Sequence, residues 1–156
     1  MIKALIADDH PIVREGLRQI VGKTSDIVVA DEASNAVEVL DRIQKNDYDV
    51  VLLDITMPDG NGLDILRQAL KMKPKLHVLL LSIHPEEEYA IRGFKAGACG
   101  YLTKGSAPVE LIGAIRKVSL GNKYVSPSLA EKLAFALGED AEHPLHENLS
   151  DREYSV

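Results

Sequence analysis

The chain has 156 residues, enough for one domain with a real core plus a short appendage. Hydrophobic residues make up 46% and charged residues 27%, which excludes a disordered chain, and a formal net charge of -6 argues against unaided binding to nucleic-acid phosphates. A single cysteine, Cys99, excludes an internal disulfide framework and fits a reducing compartment. Aromatic residues are only 4% and tryptophan is absent, so aliphatic packing must carry the core. There is no export signal at the N-terminus and no apolar run of membrane length, so the expected address is the cytoplasm, with no membrane partner.

Ile2 to Ala7 reads as a short strand ending in Asp8-Asp9, and Pro11 suits the first turn of a helix carrying Val13, Leu17, Ile20 and Val21. Ile27 to Ala30 is a second strand, and Ser34 or Asn35 can cap a helix that buries Ala36, Leu40 and Ile43. Val50-Val51-Leu52-Leu53 then runs straight into Asp54, and Pro58 and Gly60 break the chain soon after. An unbroken branched apolar run suits a strand buried on both faces, as in a parallel sheet covered by helices. Gly60-Asn61-Gly62 closes the loop, and a helix bearing Leu63, Leu66 and Leu70 follows until Pro74.

His77 to Leu81 is a fourth strand that ends at Ser82. Pro85 and three glutamates open the next helix, where the dipole favours acids, and it runs through Ala90, Ile91 and Phe94 to Gly97. Gly100 to Thr103 is a fifth strand with Lys104 at its end, and Ser106 to Leu120 is a helix ended by Gly121-Asn122. A further helix is predicted from about Pro127 to Leu137, and the acidic stretch 139–148 reads as a linker. Five strand–helix units define an α/β fold, doubly wound around a five-stranded parallel sheet. The organisation is a main domain over residues 1–121, an extra helix and linker over 122–148, and the start of another domain at 149–156.

Asp8-Asp9, Asp54, Ser82 and Lys104 all fall at carboxyl ends of strands, where open α/β sheets do their chemistry. Each alone could be a cap or a turn residue; Asp54, for example, could merely start its loop. Three carboxylates at one edge repel by ~3–4 kcal/mol per pair at an effective dielectric of 20, and a hard divalent cation relieves that. Magnesium fits best, because it binds through one or two carboxylates and keeps waters for a phosphate. With a mobile lysine and a hydroxyl beside it, the set suits a phosphoryl group arriving at Asp54, since a carboxylate can itself be the nucleophile.

These elements, together with Met57-Pro58-Asp59-Gly60 and Gly100-Tyr101-Leu102-Thr103-Lys104, resemble the receiver domain of two-component response regulators over Met1 to Gly121. The resemblance implies a flavodoxin-like sheet of order 2-1-3-4-5. It implies that Asp54 accepts a phosphoryl group from a phosphohistidine on a sensor histidine kinase. Asp9, the Asp54 carboxylate and the Thr56 backbone carbonyl would hold Mg2+, with Asp8 assisting; Lys104 would pair with the phosphoryl oxygens. Ser82 would hydrogen-bond one of those oxygens, and Tyr101 would follow by turning inward. Without the resemblance, Tyr101 reads as an exposed strand aromatic.

The run from Ala7 to Leu17, with Asp8-Asp9-His10-Pro11 at its head, is similar to the opening of regulators that carry a LuxR-type helix-turn-helix (NarL/FixJ-like). Leu149-Ser150-Asp151-Arg152-Glu153 resembles the start of such a DNA-binding domain, and Ser150 with Glu153 forms a capping box. The expectation is therefore a truncated DNA-binding domain, with DNA contacted only through it and a homodimer formed on phosphorylation. Gly105 follows Lys104 where many receivers have proline, which removes an expected cis peptide, as is common in this subfamily.

Two other readings compete. An aspartyl-phosphate phosphatase would carry a second aspartate two residues after the nucleophile, and here that position is Thr56. A non-phosphorylated receiver-like dimerisation module would have no need of Asp9, Asp54 and Lys104, all of which are intact. The expected class is a switch, not an enzyme.

Overall fold

In the computed structural model, the described residues are 1–82, 87–106, 108–125, Ala130, Glu131 and Ala134. The chain divides into two units, Met1–Val125 and Ser126–Val156. In the first unit β1 (Ile2–Ala7), β2 (Ile27–Ala33), β3 (Val50–Asp54), β6 (Val78–Ser82) and β7 (Gly100–Thr103) form one sheet of order β2-β1-β3-β6-β7. Every pairing is parallel. Setting aside a small hairpin of β4 (Thr56–Met57) and β5 (Gly60–Asn61), this is the expected 2-1-3-4-5 order. The helices are α1 (Pro11–Gly22), α2 (Ala36–Lys45), α3 (Gly62–Met72), α4 (Glu87–Lys95) and α5 (Pro108–Ser119).

All five residues of β3 are buried, as are all five of β6, which is what their unbroken apolar runs require of central parallel strands. Alternate residues face opposite sides. Ala4, Ile6, Leu52, Leu79 and Leu81 join Leu17 and Val21 of α1 and Leu111, Ala114, Ile115 and Val118 of α5 in one core. The interleaved set Leu5, Val51, Leu53 and Leu80 is equally buried, with Leu80 lying beneath Gly93 of α4.

Three local differences from the sequence reading have physical causes. β2 continues to Ala33, past the expected Ala30, because Asp31 and Glu32 pair with Leu5 and Ile6 after a bulge at Ala4/Leu5. It is an edge strand, where charges are tolerated and discourage further pairing. The stretch after Asp54, read as loop, contains the β4–β5 hairpin with Pro58-Asp59 at its turn. Past α5, Tyr124 pairs with Gly100, so the chain covers the outer edge of β7.

Helix ends follow their residues. Asn35, not Ser34, caps α2, accepting the Glu38 N–H at 2.9 Å. Gly97 and Gly121, beyond α4 and α5, adopt φ of +111° and +87°, which side-chain-bearing residues rarely do. No cis peptide occurs among the described residues. Of the predicted extra helix, Ala130, Glu131 and Ala134 are helical. The rest of that helix, the whole of the acidic stretch 139–148 and the capping-box segment 149–156 lie outside the described residues, as do Pro85 and Glu86 at the expected start of α4.

Candidate functional site

The parallel register delivers the ends of four strands to one edge. Asp8 follows β1, and its N–H donates to the Ala33 carbonyl at 3.0 Å. Asp54 ends β3, and the next N–H, of Ile55, donates to Leu81 at 3.0 Å. Lys104 follows β7, and its N–H donates to the Ser82 carbonyl at 2.7 Å. Backbone pairing, not side-chain attraction, thus sets the four groups beside one another.

Two of the three carboxylates are as buried as the core: Asp8 is 0% exposed and Asp54 1%, with Ser82 at 8%. The Lys104 ammonium bridges them, 2.6 Å from Asp8 Oδ2 and 3.2 Å from Asp54 Oδ2. The Lys104 contacts to both are ion pairs, and the buried Asp9 Oδ1 has no directed hydrogen-bond donor among the described residues. Asp54 Oδ1 accepts the Thr56 N–H at 3.1 Å, which fixes the carboxylate's rotation. Burial, then the neighbouring Asp8 charge, push the Asp54 carboxyl above the usual carboxylate range, against Lys104 and the Thr56 N–H. Burial pulls the Lys104 ammonium down, but Asp8 and Asp54 outweigh it, and its net shift is upward.

Asp8, Asp9, His10 and Asp54 each offer one donor atom within 4.8 Å of the others. Carboxylate oxygens are the hard donors that a divalent cation takes, so the three aspartates of this cluster fit a magnesium ion. Thr56 turns its N–H to Asp54, and its side chain is exposed. Tyr101 lies inward at 1% exposure, not on the outside of its strand. Every predicted site residue therefore lies at this edge or, for Tyr101, within the strand leading to it.

Four contributors were not singled out from the sequence. The His10 ring turns back, with Nδ1 3.1 Å from Asp8 Oδ1 and from Asp9 Oδ1. Arg14 donates to the Asp8 carbonyl at 2.6 Å and to Glu32 at 3.0 Å, locking α1 onto the ends of β1 and β2. Asp59 accepts the Ala36 N–H at 2.7 Å, so the loop after the acceptor caps α2 from outside that helix. Gly62 brings its backbone against the acceptor strand, its N–H donating to the Ile55 carbonyl at 2.6 Å.

A Cβ at Gly62 would stand 2.5 Å from Ile55 Cα and 2.7 Å from the Asp54 carbonyl oxygen. Both are backbone atoms and cannot step aside alone. Gly62→Ala is therefore expected to cost about 1–3 kcal/mol, the usual toll of overpacking, read as a lowered urea midpoint at unchanged slope.

This sheet order, with carboxylates from two adjacent central strands and a lysine from a third at its carboxyl edge, is the architecture of a receiver module in two-component signalling. The chain belongs to the response regulator receiver domain family, whose model matches residues 4–116. It is 34% identical over 157 residues to the response regulator GacA of Pseudomonas aeruginosa, the match covering 100% of this chain and 73% of that protein. It is 35% identical over 158 residues to UvrY of Escherichia coli K12, covering 100% of this chain and 72% of that protein. A LuxR-family response regulator from Aurantimonas sp. superposes with a TM-score of 0.83 at 32% identity, over 88% of this chain and 99% of that one. The receiver domain of a NarL regulator from Mycobacterium tuberculosis gives 0.73 at 30% identity, over 78% and 98%. The chain is a receiver of the LuxR type. Among the described residues, no helix is long and apolar enough to cross a membrane.

Proposed function

We propose that the chain is a phosphorylation-activated switch in which Asp54 accepts a phosphoryl group from the phosphohistidine of a sensor histidine kinase in the cytoplasm. The observation that carries this reading is the buried Asp54 carboxylate with the Lys104 ammonium 3.2 Å from one of its oxygens. In the transfer an Asp54 oxygen attacks phosphorus, the P–N bond to the kinase imidazole breaks, and its electron pair returns to the ring nitrogen. Asp8, Asp9, the Asp54 carboxylate and the Thr56 carbonyl would hold Mg2+, which when bound neutralises charge on the phosphoryl oxygens. Lys104 exchanges a carboxylate partner for a phosphoryl oxygen, which pulls the end of β7 towards the site. Ser82 donates its hydroxyl to another phosphoryl oxygen, and the inward Tyr101 is held behind it.

Intact mass after incubation with acetyl phosphate and Mg2+ tests the reading. A single lasting adduct fits the switch, rapid turnover would indicate a phosphatase, and no adduct would indicate a plain dimerisation module.

The output follows from the LuxR-type relationship: a homodimer on phosphorylation, and transcription control through a C-terminal DNA-binding domain, not through this acidic unit. A ligand shifts an equilibrium only by its differential affinity for the two states. Beryllofluoride with Mg2+ is therefore expected to convert the monomer to a dimer in analytical ultracentrifugation. A sedimentation coefficient that stays at the monomer value would sink the dimer reading.

A further inference from the structure

We propose that His10 Nδ1 is a fifth donor of the cation site, and that it makes the site bind a borderline transition metal such as Zn2+ more tightly than Mg2+. The inference rests on the metal reading under Proposed function and extends it to a residue and a metal class outside that set. His10 Nδ1 lies 3.1 Å from Asp8 Oδ1 and 3.1 Å from Asp9 Oδ1. An octahedral ion with bonds of about 2.1 Å sets adjacent donors about 3.0 Å apart, so these contacts match two edges of a single coordination shell. A ring hydrogen on Nδ1 accounts for one of them only. Asp8 Oδ1 is already served by the His10 backbone N–H at 2.9 Å, whereas Asp9 Oδ1 is buried and has no directed donor.

Lys104 does not compete for this position. It meets the other oxygen of Asp8, Oδ2, at 2.6 Å, so Asp8 faces the lysine with one oxygen and His10 and Asp9 with the other. The His10 side chain is 64% exposed, so the ring can tilt by the small amount that admits an ion, with Nε2 keeping its proton in solvent. Oxygen-only sites suit magnesium; adding an imidazole moves the preference towards zinc, nickel and cobalt.

The test is paired calorimetric titration of Zn2+ and Mg2+ into wild type and His10→Asn, with imidazole 15N spectra recorded through the Zn2+ titration. Asparagine is a favoured residue at a helix N-cap, the position His10 holds, so the variant keeps its helix start. The expected result is a loss of about tenfold or more in Zn2+ affinity with less than about twofold change for Mg2+. In wild type, the His10 Nδ1 signal is expected to shift at lower Zn2+ than those of His77, His84, His143 and His146. Equal losses for both metals would show that His10 only positions the carboxylates, and an unchanged Zn2+ affinity or an unmoved His10 signal would exclude ligation; either overturns the proposal. Wild type that binds neither ion would sink the magnesium reading and this one together, whereas Mg2+ binding without a His10 effect on Zn2+ overturns this one alone.

Discussion

Asp54→Ala is expected to abolish phosphoryl uptake from acetyl phosphate, down to the background of an unreactive protein, while the fold survives. Neither neighbouring aspartate can stand in. Asp8 is fully buried with one oxygen against Lys104 and the other against His10, and Asp9 lies beside the His10 ring. The fold survives because the strand end is fixed by backbone pairing, Ile55 N–H to Leu81, which the substitution leaves intact. Lys104 keeps its closer partner, Asp8 Oδ2 at 2.6 Å, so no buried charge is stranded. Removing a carboxylate whose ionised form burial and Asp8 both disfavour leaves the metal-free variant at least as stable as wild type. Asp9→Ala gives a different outcome, an adduct that needs more Mg2+, because a metal ligand is lost but the acceptor is not. Intact mass across a magnesium titration separates the two. An Asp54→Ala protein that takes up one phosphoryl group as wild type does would refute the assignment.

The ends of β1, β3 and β6 were legible because each is marked twice in the sequence, by an aliphatic run and by the polar residue that stops it, whereas the end of β2 was not. Val50 to Asp54 shows this best: a run with no polar face can only be a central strand, and its final carboxylate must then lie at the sheet's edge. What stayed hidden is what depends on the partner rather than on the residue. Asp59 sits in a turn, where any local rule reads it as a turn former, yet its carboxylate caps a helix that begins 23 residues earlier in the chain. Gly62 looks like one more loop glycine until the Asp54–Ile55 backbone is seen to occupy the space of its missing side chain. The direction of Tyr101 likewise depends on what packs around β7. His10 reads as a helix-breaking neighbour of Pro11, but as N-cap it makes no side-chain cap bond and turns its ring to the acids instead.

Lys104→Met is expected to destabilise the metal-free protein by about 3 kcal/mol near neutral pH, at the lower end for breaking a buried ion pair because Lys104 is not wholly enclosed. Methionine keeps the apolar stem and removes only the ammonium, so the change isolates the charge. It leaves Asp8 and Asp54, at 0% and 1% exposure, facing each other with no cation between them. Two further observations test that cause, beside the pH dependence. Adding Asp54→Asn to Lys104→Met is expected to recover most of the loss, since one buried charge is gone. Saturating Mg2+ is expected to recover about 2.7 kcal/mol when it stands 100-fold above its dissociation constant.

The pH dependence has a definite sign. Asp54 titrates above its ordinary 3.8 in the fold, so its charged form costs stability at high pH, and that cost fades as pH falls towards 3.8. The deficit of Lys104→Met therefore narrows on acidification. At the other end, Lys104 titrates above its ordinary 10.5, so its contribution is whole below 10.5 and is lost as pH rises through the folded value. Wild type and variant accordingly converge in alkali as well, with the widest gap between the two limits. Urea unfolding of both proteins across pH, in chelator, measures that gap directly. A deficit that stays constant with pH, or that Asp54→Asn fails to repair, would mean that Lys104 stabilises the fold through its stem and not through the two carboxylates.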